Sequence, residues 1–218
     1  MEQKVPENIK NIRFEDAVRS VFGVAVWEFK SEVELKAKLL PVLDEAFFKL
    51  CEAIRAKPIE HTRVNEIGNM LEPHVVAALM NSQIAAQSAK TKSGGGQATA
   101  YPDVSFEFEG KLFYLEVKSF AAKSAASKLR SFYMSPSNNP KVHQDAFHLV
   151  LGFEMQDLGA TGAGRGGKAL HAYIPNAFEV ADLFGMLCDM KAEFNSNNVK
   201  MYEAERLLVK RRLPAIEE

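Results

Sequence analysis

Residues 101–119, YPDVSFEFEGKLFYLEVKS, alternate apolar and polar side chains on either side of Glu109-Gly110. A period of two belongs to a strand, and two such runs around a short polar break predict a β-hairpin. A turn centred on Glu109-Gly110 with an even number of loop residues then sets every cross-strand pair. Phe108 faces Lys111, Ser105 faces Tyr114, and Asp103 faces Glu116. Directly opposed Cβ atoms on antiparallel strands stand about 4.5–5.5 Å apart, close enough for two carboxylates to share one divalent cation.

The same register collects Val104, Phe106, Phe113, Leu115 and Val117 into an apolar row, while Glu116 and Lys118 project to the face of Asp103. Two acids and an ammonium have a bland explanation in the solvated side of an amphipathic hairpin, where exposed ion pairs are common and worth little. The apolar surroundings of Glu116 speak instead for a central strand, which rarely carries charge without a chemical use.

Pro102-Asp103 and Glu116-Val117-Lys118, with twelve hairpin residues between the acids, resemble the signature of the PD-(D/E)XK nuclease superfamily. A preceding helical acid is usual in that family. Glu72 in GNMLEPHVVAAL suits it, Glu66 is the competitor, and Pro73 departs from the usual helix. The resemblance covers roughly residues 62–155. It implies a restriction-endonuclease-like α/β fold, with a mixed central sheet flanked by helices. An N-terminal helical lobe over residues 1–60, for dimerisation or DNA contact, would join a nuclease core with a C-terminal extension over 61–218 in one compact domain.

The implied chemistry is hydrolysis of DNA phosphodiester bonds. Hard oxygen ligands select Mg2+, with Mn2+ as a substitute, and such an ion takes only one or two carboxylates from a protein. Asp103 and Glu116 would be those ligands, and the resemblance adds the backbone carbonyl of Val117. Lys118 would orient the attacking water or help deprotonate it, and would offset charge on the scissile phosphate. Glu72 would assist a second metal or hold a metal-bound water. A chain of this size with extra helices and loops resembles a type II restriction endonuclease acting on double-stranded DNA as a homodimer. The alternatives are a structure-specific repair or recombination nuclease, and a DNA-binding protein that has lost catalysis.

Elsewhere, Leu35, Leu39, Leu43, Phe47, Leu50 and Ile54 recur at helical spacing within residues 31–56, with Ser31 as the expected cap and Pro41 as an expected kink or break. A shorter amphipathic segment runs from Phe14 to Trp27, so the first sixty residues read as all-helical. Ile67, Leu71, Val75 and Leu79 predict a helix within residues 62–82, and KTKSGGGQATA predicts a loop. After the hairpin come a helix over 123–134, a turn in SPSNNP, strands in AFHLVLGFEM and ALHAYI, and a helix in NAFEVADLFGMLCDMKAEF.

Lys111, Lys118, Lys123, Lys128, Arg130 and Lys141 face a single acid, Glu116, within residues 111–141. This local excess predicts a phosphate-facing surface, with Lys123, Lys128, Arg130 and Lys141 on DNA. Arg165 and Lys168, in the glycine-rich LGATGAGRGGK between two predicted strands, are expected to contact DNA as well, Arg165 by reading guanine or meeting a phosphate. GAGRGGK also satisfies two phosphate-loop patterns. Ala169 stands where the metal-binding hydroxyl would be, and a strand-like run follows, so no nucleotide cofactor is expected.

Composition narrows the remaining classes. The 218 residues are 47% hydrophobic and carry a net charge of -1, so the chain can build a core and any DNA-facing surface must be local. Cys51 and Cys188, two thiols far apart, predict no disulfide framework or zinc site. His61, His74, His143, His148 and His171 lack zinc spacing. With a polar start and no run of membrane-spanning length, the protein is expected to be cytoplasmic.

Overall fold

The structure is a computed structural model and describes residues 10–96, 100–121, 132, 134, 137–164 and 168–189. Along the chain run β1 (Ile12–Arg13), α1 (Phe14–Phe22), β2 (Val26–Trp27), α2 (Val33–Ala56), β3 (Ile59–His61), α3 (Ile67–Asn81) and β4 (Ala85–Ser88). The hairpin β5 (Val104–Phe108) and β6 (Lys111–Ala121) follows, then β7 (Ala146–Ala163), β8 (Ala169–Asp182) and β9 (Leu187–Cys188). Single 3-10 turns at Phe29–Ser31 and Val64–Glu66 lead into α2 and α3.

Glu109 and Gly110 both take positive φ, 48° and 70°, the left-handed pair that a two-residue hairpin turn requires. The register is the one expected, with Phe108 opposite Lys111, Phe106 opposite Phe113 and Val104 opposite Leu115. In the main sheet the order is β3-β8-β7-β6-β5-β4, with β2 beside the start of β7. β6 and β2 pair with β7 in parallel and the remaining neighbours are antiparallel, so the sheet is mixed. β6 is central, and Glu116 therefore lies inside the sheet.

The apolar row Val104, Phe106, Phe113, Leu115 and Val117 is buried in one cluster with Leu39, Leu43 and Phe47 of α2 and Leu71, Val75 and Leu79 of α3. Full burial of each large side chain contributes about 1.5–3 kcal/mol, which fixes the face on which the two helices sit. Phe14 and Val18 of α1 pack with Tyr101, Tyr114 and Val142 in a second cluster. Alternate β6 residues thus face different helices.

Several expectations are corrected. The first sixty residues supply three short strands as well as helices, and α2 shares its core with the sheet. Ser31 does not cap α2: its hydroxyl donates to Glu28 O at 2.8 Å, and Glu32 takes the cap position. Pro41 and Pro73 lie inside unbroken helices. A strand over 85–88 was not foreseen. The strand expected in AFHLVLGFEM continues to Ala163, with Gly159 and Gly162 at register irregularities, and the segment expected to be helical from Asn176 is strand β8 to Asp182. There Phe178 and Val180 follow a period of two and pack on the core. The helix expected over 123–134 lies outside the described residues, apart from Phe132 and Met134, which have no helical structure.

Candidate active site

β5 begins at Val104, so the edge of β6 beyond Leu115 has no strand partner on that side. The backbone N–H of Val117 meets a side chain instead: it donates to Asp103 Oδ2 at 2.8 Å. Asp103 is fixed from its other end as well, because Ala89 N donates to Asp103 O at 2.8 Å. A residue's N–H and C=O leave a strand toward the same side, so the Val117 carbonyl turns to the same gap. A Cβ at Gly68 would lie 3.5 Å from that carbonyl oxygen, which is how closely α3 approaches β6.

Glu116 is buried, and Lys118 Nζ donates to its Oε1. Its Oε2 is also buried and meets no donor. Burial pushes the Glu116 carboxyl up to about 7, the charge of Asp103 adds to the rise, and the Lys118 ammonium opposes it. Burial raises Asp103 too, opposed by the Val117 N–H and by Lys118. An orphaned acceptor beside a second carboxylate fits a cation. Among the described residues no three His, Cys, Asp or Glu side chains form a metal cage, so an ion here would rely on the two acids, backbone oxygen and water. That donor set suits Mg2+.

Gly68 and Glu72 are one turn apart on α3 and share a face. Glu72 joins the cluster electrostatically: burial raises its carboxyl to about 7, Asp103 raises it further, and Lys141 and Lys118 oppose the rise. Its competitor Glu66 instead accepts from Arg63 at 3.2 Å. Lys118 is 27% exposed and lies 5.4 Å from the centre of the Phe132 ring.

Lys141 corrects the expected basic surface. It is buried, with Nζ donating to Ala100 O at 2.7 Å and Pro102 O at 2.9 Å; burial lowers its pKa, and the charges of Asp103, Glu72 and Glu116 oppose the fall. Nothing in the sequence distinguishes this lysine from its neighbours. Lys111 lies at the turn end of the hairpin, five residues along the strands from the acids and over Trp27. Lys123, Lys128, Arg130 and Arg165 lie outside the described residues, and Lys168 is exposed at the start of β8. Strand β8 follows Lys168 directly, where a phosphate-capping helix would be needed for nucleotide binding. His148 is buried beside Tyr101, whose hydroxyl is 2.7 Å from its Nδ1, and burial lowers its pKa to about 3.

In metal-free protein, Glu116→Gln is expected to stabilise the fold above about pH 7. The folded chain holds the Glu116 proton more tightly than the ordinary value of 4.5 allows, so this group's contribution is lost as pH rises through about 7. The expected gain is on the order of 1–3 kcal/mol, and it vanishes below the ordinary carboxylate range. Thermal melts in EDTA across that range check it, and equal stability of the two proteins at high pH contradicts it.

The model of the type II restriction enzyme MjaV family matches residues 7–205. The type II restriction enzyme MjaV of Methanocaldococcus jannaschii is 29% identical over 227 residues, an alignment that covers 97% of this chain and 94% of that protein. The chain belongs to the type II restriction enzyme MjaV family and is by that membership a site-specific endodeoxyribonuclease.

Proposed function

We propose that the chain is a Mg2+-dependent type II restriction endonuclease of the PD-(D/E)XK kind, with a restriction-endonuclease-like fold, and that it cuts double-stranded DNA from the Asp103–Glu116–Lys118 cluster. The observation that carries this reading is the buried, donorless Oε2 of Glu116 beside the carboxylate of Asp103. Asp103, Glu116 and the Val117 carbonyl would hold Mg2+, and Mn2+ would substitute. The ion, when bound, supplies positive charge for the phosphoryl and leaving oxygens.

The chain's own groups do the rest. Lys118 Nζ, held by Glu116 Oε1 and partly open to solvent, orients the attacking water and offsets charge on the scissile phosphate. Glu72, on the face of α3 that carries Gly68, would assist a second metal or hold a metal-bound water. Lys168, with Lys123, Lys128, Arg130 and Arg165, would meet DNA outside the cluster. A homodimer supplies one site per strand, and Val33, Leu40 and Phe48 leave apolar surface exposed along α2 for its interface. No described helix is long and apolar enough to cross a membrane, and the enzyme would act in the cytoplasm, where its substrate is.

Incubation of the protein with plasmid and genomic DNA in Mg2+ or EDTA tests this reading. Discrete fragments that appear only with Mg2+ are expected, with linear product forming directly and a two-fold mass in sedimentation on duplex DNA. Cutting confined to branched or gapped DNA indicates a repair nuclease, and binding without cutting indicates a protein that has lost catalysis.

A further inference from the structure

Lys141 is the one buried lysine among the described residues. A buried ammonium needs compensation for lost hydration, and here it comes from two directions. Two of its three protons go to the carbonyls of Ala100 and Pro102, at 2.7 and 2.9 Å, and the charges of Asp103, Glu72 and Glu116 stabilise its ionised form against burial. Its own backbone is anchored. Tyr114 Oη donates to Lys141 O at 3.3 Å, Lys92 N donates to Pro140 O at 3.0 Å, and Asn139 Nδ2 donates to Thr91 Oγ1 at 3.2 Å and Ser93 Oγ at 2.8 Å.

We propose that Lys141 is a positioning residue for the cleavage reaction: it ties down the backbone that enters Asp103, so aiming that carboxylate. This rests on the reading of the cluster as the hydrolytic centre. Pro102 immediately precedes Asp103, so the direction of the Pro102 carbonyl sets the path into Asp103. The Asp103 carboxylate then meets Val117 N and its carbonyl meets Ala89 N, both at 2.8 Å. Lys141 is too buried, and too fully engaged by backbone oxygens, to serve as a mobile phosphate contact.

The test compares wild type with Lys141→Ala in single-turnover cleavage with Mg2+, in duplex binding with Ca2+, and in amide hydrogen exchange. The expected results are a cleavage rate lowered about 100-fold, duplex affinity within about 3-fold of wild type, and exchange about tenfold faster at Val117 and Ala89. Propylammonium, which replaces the deleted atoms, is expected to restore the rate at least about tenfold. A normal rate, an equal loss of rate and affinity, or unchanged exchange at those two amides overturns the proposal. If Lys141→Ala does not fold, Lys141→Met keeps the buried stem and is expected to give the same pattern without amine rescue; loss of fold in both overturns the positioning role. A wild type that does not cut DNA in Mg2+ defeats the functional reading, while the exchange measurement still decides whether Lys141 holds Asp103.

Discussion

Asp103→Asn and Glu116→Gln are each expected to lower Mg2+-dependent cleavage by at least about 1,000-fold, equivalent to about 4 kcal/mol of transition-state stabilisation. Each change removes a negative charge from a site where, among the described residues, no three acids, histidines or cysteines form a metal cage. The geometry is otherwise kept. Asparagine retains an acceptor for the Val117 N–H, now made to Asp103 Oδ2 at 2.8 Å, and glutamine retains the buried volume of Glu116. Both variants are therefore expected to fold and to bind duplex DNA in Ca2+. Circular dichroism and single-turnover rates check this, and a wild-type rate in either folded variant contradicts the assignment.

Lys118→Ala is expected to lower the cleavage rate about 100- to 1,000-fold while sparing most of the DNA affinity. Two losses combine. The ammonium no longer faces the scissile phosphate or the attacking water, and Glu116 loses the donor on Oε1 and the charge that opposes its raised pKa. Neither loss touches a DNA contact remote from the scissile bond. Binding in Ca2+ separates the effects, since a parallel drop in affinity marks Lys118 as a phosphate anchor alone.

The hairpin was legible in the sequence because a period of two and a Glu-Gly turn leave little freedom: the register from Val104–Leu115 to the turn and the apolar row follow from them, while the pairing stops short of Asp103, whose carboxylate accepts from the Val117 N–H instead. The helices over α2 and α3 were legible from their apolar repeats, and both prolines proved compatible with an unbroken helix. Strand β8 was not. NAFEVADLFG supports either period, and only its pairing with Leu149–Glu154 of β7 selects the strand. Glycines in β7 suggested a loop because a sequence does not reveal the irregular pairing that tolerates them at Gly159 and Gly162. Charge excess likewise misled for Lys141, since a buried lysine bonded to backbone carbonyls has the same local sequence signature as one on the surface.

The central claim, a divalent cation on Asp103 and Glu116 driving phosphodiester hydrolysis, is tested most directly by the single-turnover rate of plasmid cleavage as Mg2+ is titrated into EDTA-treated protein. No cutting is expected in EDTA, with a saturable rise with Mg2+ in wild type and a flat response in Asp103→Asn. Cleavage that proceeds equally in EDTA, or an Asp103→Asn protein that follows the wild-type curve, would contradict it.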